Sequence, residues 1–157
     1  MESQGLLEAA LAVHVTPDAF VKRRLVSGPI WLEMAGEFFP SKGWIDFPVA
    51  ILGFWLSNLH PVILAQSRTC ECPFMDGPFE FDIHVKDDRV WTVTLLDRDA
   101  ARNDALVTAL VDSHSLITSL LSSAETVVEV CRQEQWIDRD LVELEAEIVE
   151  TKRVFLS

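Results

Sequence analysis

From Phe47 to Ser67 the chain carries no formally charged side chain, although the whole protein has a net charge of -12. A stretch like that has to be hidden from water, either in a bilayer or in a protein core. Its length is that of a membrane span. Its content is not, because Pro48, Ser57, Asn58, His60, Pro61 and Gln66 all fall inside it and no cluster of Lys or Arg flanks it. The segment therefore reads as a core helix. Asp46 is the expected N-cap, Pro48 sits in the first turn where its missing N–H costs nothing, and the helix is expected to stop near Leu59, before Pro61. Its apolar residues surround the helix on nearly every side, so other elements must cover it all round.

The covering elements are legible in part. Phe79, Phe81, Ile83 and Val85 alternate with Glu80, Asp82 and His84. After the turn Lys86-Asp87-Asp88-Arg89, Trp91, Val93 and Leu95 alternate with Thr92 and Thr94. This pattern predicts a β-hairpin. The Asp87 side chain is expected to matter little to stability. Leu6 to Val15, Ile30 to Phe38 and Thr69 to Met75 are further candidate strands, separated by the breaks Thr16-Pro17-Asp18, Ser27-Gly28-Pro29 and Asp76-Gly77-Pro78. Apolar residues at helical spacing from Leu106 to Cys131 predict one long amphipathic helix over Asp104 to Gln135. Asp138 is expected to cap a second helix carrying Leu141, Leu144 and Ile148. Strands first and helices last imply an α+β fold: an antiparallel sheet of about four to six strands, a buried helix, and a C-terminal helical pair packed on one face. Residues 1–157 make one domain.

Export is not expected, because the N-terminal stretch lacks a basic start and a small-residue cleavage site and Glu8 interrupts its apolar run. Cys70, Cys72 and Cys131 are an odd number of thiols that build no disulfide framework. Both features point to a reducing cytoplasm.

Catalytic constellations are hard to find. Cys70 and Cys72 form a lone C-x-C without a second metal-ligand pair, and no two histidines stand three or four residues apart. No metal or other cofactor is expected. There is no G-x-S-x-G elbow and no phosphate-binding glycine pattern, and Ser113-His114-Ser115 falls inside the predicted long helix. Asp97 with Asp99 and Asp87 with Asp88 are carboxylate pairs a hydrolase could use, but such pairs are common in acidic proteins and in turns.

The acidity argues against nucleic acid, whose binding draws on Lys and Arg. It suits a basic protein partner, or serves solubility alone. Met75-Asp76-Gly77-Pro78-Phe79 reads first as a turn in which Gly77 supplies a positive φ, and second as a binding loop. Asp76, Glu80 and Asp82 flank or lie on the hairpin, while Asp97, Asp99 and Asp104 project from the loop that follows it. Trp44, in a loop between Gly43 and Ile45, either anchors an interface or seals the edge of the core. These seven residues are the expected partner-binding set.

Taken in order, Gly36-Glu37-Phe38-Phe39-Pro40, Trp44-Ile45-Asp46-Phe47 leading to Phe54-Trp55-Leu56, Phe74-Met75-Asp76-Gly77-Pro78-Phe79, and the later CRQEQW from Cys131 to Trp136 form a pattern. It resembles a group of small bacterial immunity proteins of polymorphic toxin systems, over roughly residues 30 to 85 and 120 to 137. The resemblance implies a non-enzymatic cytoplasmic protein that binds and blocks a cognate toxin domain. The matched motifs look like scaffold, and no toxin-contacting residue carries over. An acidic regulatory or adaptor protein, which could pair as a homodimer through the long helix, is the alternative, followed by a small hydrolase.

Overall fold

The computed structural model describes residues 6–99 and 104–156, the side chain of Asp104 excepted. The uncharged segment forms helix α1, Pro48–Ile63, whose Ile51, Leu52, Trp55, Leu56 and Leu59 are fully buried. Phe47, not Asp46, occupies the N-cap position. The helix also runs through Pro61. Pro61 lies in the last turn and on the surface, as does Ser57 one turn earlier, so the carbonyl that loses its helical partner can be hydrated. No helix among the described residues is long and apolar enough to cross a membrane.

The fold is α+β. Ahead of α1 come strands β1 (Leu7–Ala9), β2 (Leu11–Val15), β3 (Val21–Lys22), β4 (Val26–Met34), β5 (Glu37–Phe39) and β6 (Ile45–Asp46). After it come β7 (Thr69–Pro73), β8 (Phe79–Val85), β9 (Val90–Asp97) and β10 (Asp104–Asp112), then helices α2 (Ser113–Gln133) and α3 (Arg139–Phe155). One sheet has the order β1-β10-β9-β8-β7, antiparallel except where β1 runs parallel to β10. In the second sheet, β2, β3, β5 and β6 all pair with β4. The β8–β9 hairpin forms over the expected residues, with Phe81 opposite Leu95 and Ile83 opposite Val93.

Three expected elements divide. The segment Leu6 to Val15 becomes β1 and β2, one in each sheet, with the crossing at Ala10. The expected strand from Ile30 to Phe38 turns back at Ala35 and Gly36, whose φ angles of 54° and 80° make the tight two-residue turn that hairpins favour. The expected helix from Asp104 to Gln135 is a strand up to Asp112. Within it Ala109 and Val111 face the core while Thr108 and Leu110 are half-buried on the other side, a period of two. Asp112 then caps α2, its carboxylate accepting from the Ser115 N–H at 2.9 Å. Ser113, expected mid-helix, is therefore the first helical residue, and its hydroxyl donates to the Asp88 carbonyl. Asp138 caps α3 as expected, accepting from the Leu141 N–H at 3.0 Å.

The inner faces of both sheets meet α1 and α2 in one apolar core that includes Ile30, Leu32, Phe81, Val93, Leu116 and Leu120. α2 and α3 form the C-terminal pair, tied by Arg132 with Glu145 and by Lys152 with Glu125. Side chains also finish two strand edges. Along β7, the outward carbonyls of Thr69, Glu71 and Pro73 accept from Ser67 Oγ, Asn58 Nδ2 and Trp55 Nε1. On β2, the Val13 N–H donates to Ser119 Oγ and the Val13 carbonyl accepts from Ser123 Oγ, both at 2.9 Å from α2. Those backbone groups would otherwise be open to another strand.

Candidate functional site

The aromatic blocks of the sequence meet at one corner. Phe39 packs edge-on against Phe74 and Phe79, Trp44 against Phe79, and Trp55 against Phe74 and Phe81, with ring centroids 5.0 to 5.9 Å apart. Edge-to-face contacts of this kind add to what burial alone gives. Asp46 ties the corner together. It is 1% exposed, and its carboxylate accepts from the Phe47 N–H at 2.8 Å, the Trp44 indole N–H at 3.0 Å and the Asp76 N–H at 3.0 Å. One buried anion thus fixes the loop before α1, the start of the helix and the turn before β8. Gly77 has φ 76°, and a Cβ there would stand 3.0 Å from the Phe79 ring, so the turn requires glycine for two reasons. Trp44 is half-buried in this corner, with both its ring and its N–H engaged.

The acids from the hairpin form a second group, on the sheet face that carries Thr92 and Thr94 and lies opposite the apolar core. Glu80 and Asp82 stand two residues apart on β8, and the β7–β8 register sets Glu71 opposite Asp82. Arg98 reaches over all three. Its guanidinium lies 2.8 Å from Glu80, 3.1 Å from Asp82 and 3.7 Å from Glu71. The Arg98 backbone N–H donates to the Pro78 carbonyl at 2.6 Å, which brings the segment after β9 back to the turn before β8.

The two hairpin carboxyls are pushed apart. Burial raises Asp82 to about 7, helped by its hydrogen bond to Glu80 and that group's charge. Burial would raise Glu80 as well, but hydrogen bonds from Arg98 and Asp82 outweigh it and hold Glu80 below the ordinary carboxylate range. Oδ1 of Asp82 is shielded from water without a donor among the described residues, a costly place for an ionised oxygen. Oxygens of Glu71, Glu80 and Asp82 approach within 4.8 Å of one another, close enough to share a cation. Arg98 already supplies one. Cys70 and Cys72 lie with their sulfurs 4.0 Å apart, and burial pushes the Cys72 thiol well above its ordinary value, which makes it a poor nucleophile.

Of the seven residues expected to meet a partner, Glu80 and Asp82 therefore share one charge cluster. Asp97 pairs across from Phe79, and its carboxylate accepts from the Asp99 N–H at 2.9 Å. Asp76 is exposed at the corner, two residues before Pro78, whose carbonyl accepts from the Arg98 N–H. Asp104 opens β10 opposite Asp97, and its side chain lies outside the described residues. The set divides between two places: Trp44 and Asp76 belong to the aromatic corner, and Glu80 and Asp82 to the outer sheet face, where Glu80 is 8% exposed and faces Arg98 more than solvent. Sequence reasoning missed Arg98, Glu71 and the role of Asp46. Arg98 had a signal, as the one base between Asp97 and Asp99.

Comparison with protein-family models, curated proteins and solved structures gives no match to this chain.

Proposed function

We propose that this protein acts by stoichiometric binding to a more basic protein, as a cytoplasmic immunity protein that neutralises a toxin domain. One observation carries the reading: Glu71, Glu80 and Asp82 gather around Arg98 on one sheet face, and Asp97 and Asp99 flank Arg98 in the chain. A concentrated negative field of that kind speeds encounter with a basic surface and rejects acidic ones. A toxin that handles anionic substrates presents such a basic surface, and carboxylates compete for the same field. The test is association with the product of the adjacent reading frame, followed by stopped flow across a salt series. Association that slows as salt rises supports the reading. A rate indifferent to salt removes its electrostatic part, and no complex at all removes the toxin.

The divergent Glu80 and Asp82 favour a second reading, an acid–base hydrolase. One carboxyl that holds its proton to about 7 beside one that stays ionised is an arrangement such enzymes use. Ion-pair networks produce the same divergence, and these groups lie on a sheet face and not in a deep cleft. Turnover of a hydrolase substrate panel that Asp82→Asn abolishes would establish this second reading and displace the first.

A further inference from the structure

We propose that the cavity where the ends of α1, α2 and α3 meet the sheet binds a flat, uncharged molecule of two fused rings with a ring-nitrogen acceptor, which takes the Trp91 indole N–H. The site stands at the other end of the β8–β9 hairpin from the acid cluster. Trp91 pairs with Val85, whereas Glu80 pairs with Leu96, about 16 Å away along β8. The site is therefore independent of the binding-protein reading.

The cavity measures about 370 Å³, at the small end of the range for ligand pockets. Its inner wall comes from four elements: Val62 near the end of α1, Trp91 on β9, Ile117 in the first turns of α2, and Val154 in the last turn of α3. All four side chains are buried. His114 and Phe155 add two more rings, edge-on to each other with centroids 5.0 Å apart. A space of that size between aromatic and branched side chains suits a fused pair of rings.

Trp91 decides the acceptor. It is 4% exposed, and its indole N–H makes no hydrogen bond among the described residues. The indoles of Trp44 and Trp55 both have acceptors, in Asp46 and the Pro73 carbonyl. The Trp31 N–H is sealed from water, that of Trp91 is not, and the open space along Trp91 is this cavity. Ser113, buried on the same wall, already donates its hydroxyl to the Asp88 carbonyl. The indole is thus an unused donor in a largely apolar wall. Water can serve it, and a ligand that brings its own acceptor replaces that water while burying apolar surface.

The mouth carries charges of both signs, with Arg68, Asp87 and Asp88 exposed around it. Two of them already serve the backbone. Arg68 Nη2 donates to the Val85 carbonyl at 2.9 Å, and Asp87 Oδ1 accepts from the Arg89 and Val90 N–H groups. An anionic ligand would face Asp87 and Asp88, and a cationic one would face Arg68. An uncharged ligand escapes both, and leaves no charge to be desolvated.

The test is NMR on the isotope-labelled full chain with isoquinoline, and with naphthalene, which has the same shape and no acceptor. Isoquinoline should bind saturably and move the Trp91 indole proton downfield, together with the methyl groups of Ile117 and Val154. Naphthalene should bind about tenfold more weakly or worse. Trp91→Phe keeps an aromatic wall and removes the donor, so isoquinoline should fall to the affinity of naphthalene. If that variant folds poorly, the wild-type comparison of the two ligands still decides. Equal affinity for both would overturn the proposal, as would shifts centred away from Trp91 or no shift at millimolar isoquinoline. Tighter binding of isoquinoline-1-carboxylate or of 1-aminomethylnaphthalene would overturn the uncharged class. None of these results alters the salt dependence that tests the binding-protein reading.

Discussion

The indole N–H of Trp55 donates to the Pro73 carbonyl at 2.7 Å, so one side chain both fills the core and finishes a strand edge. Trp55→Ala should lose about 3–5 kcal/mol of stability from the cavity, with the bared carbonyl adding to it. Trp55→Phe should lose less, since the ring contacts to Phe74 and Phe81 survive. Urea melts of both variants check this, and an alanine variant with the wild-type midpoint would refute the burial. The turn residue Asp87 is no longer expected to be neutral, because its Oδ1 accepts from the Arg89 and Val90 N–H groups at 2.9 Å each. Asp87→Ala should cost about 1 kcal/mol.

Asp46→Ala should be more damaging than its single position in a loop suggests. It leaves the N–H groups of Phe47, Trp44 and Asp76 without their acceptor in a buried place. A loss of roughly 3 kcal/mol or more is expected. Asp46→Asn keeps one acceptor oxygen and should fall between. Backbone amide exchange at Asp76 and indole exchange at Trp44 would rise together if the anion holds both, and exchange at only one of them would contradict that.

The contribution of Asp82 to stability should fall as pH rises from about 4 to 7. Asp82 is raised in the folded protein, so the native state binds more protons than the unfolded chain across that interval. Its contribution is complete below the ordinary aspartate value and lost as pH passes about 7. Glu80 acts oppositely, supporting the fold above its ordinary range and losing that support in acid. Asp82→Asn should flatten the profile between pH 4 and 7. Arg98→Gln should destabilise more at pH 8 than at pH 5, because Glu80 and Asp82 are then both ionised without their cation. Denaturation midpoints across pH, with carboxyl carbon NMR titration of Asp82, provide the check. A profile unchanged in Asp82→Asn would refute the assignment.

Ser119→Ala with Ser123→Ala should lose about 1–3 kcal/mol, since both polar backbone groups of Val13 lose their partners. Hydrogen exchange at the Val13 amide should quicken beyond what the global loss explains. Unchanged exchange there would mean that the helix shields the strand without bonding it.

Local pattern was enough wherever a single element's own period decided its structure. The β8–β9 alternation and the Asp138 cap both formed as read. The segment before α2 misled because Leu106, Leu110, Ser113 and Ile117 fit a helix, while Val107, Ala109 and Val111 fit a strand equally well. Pairing with β9 decides between them, and that partner lies outside the window. Asp112 was an available N-cap signal inside the run. The site shows the same division. Glu80 and Asp82 on one face follow from alternation. Glu71 joins them only through the β7–β8 register, and Arg98 only because its segment folds back onto Pro78. Asp46 was legible as a helix-start residue, but its three donors arrive from both sides of α1.

The finished edges of β7 and β2 bear on how the protein behaves when crowded. A strand from a neighbouring molecule could add there only after Trp55 and Asn58, or Ser119 and Ser123, had let go of the backbone. Along those two edges, clumping is therefore limited by how often a helix lifts away, and not by how often intact molecules collide.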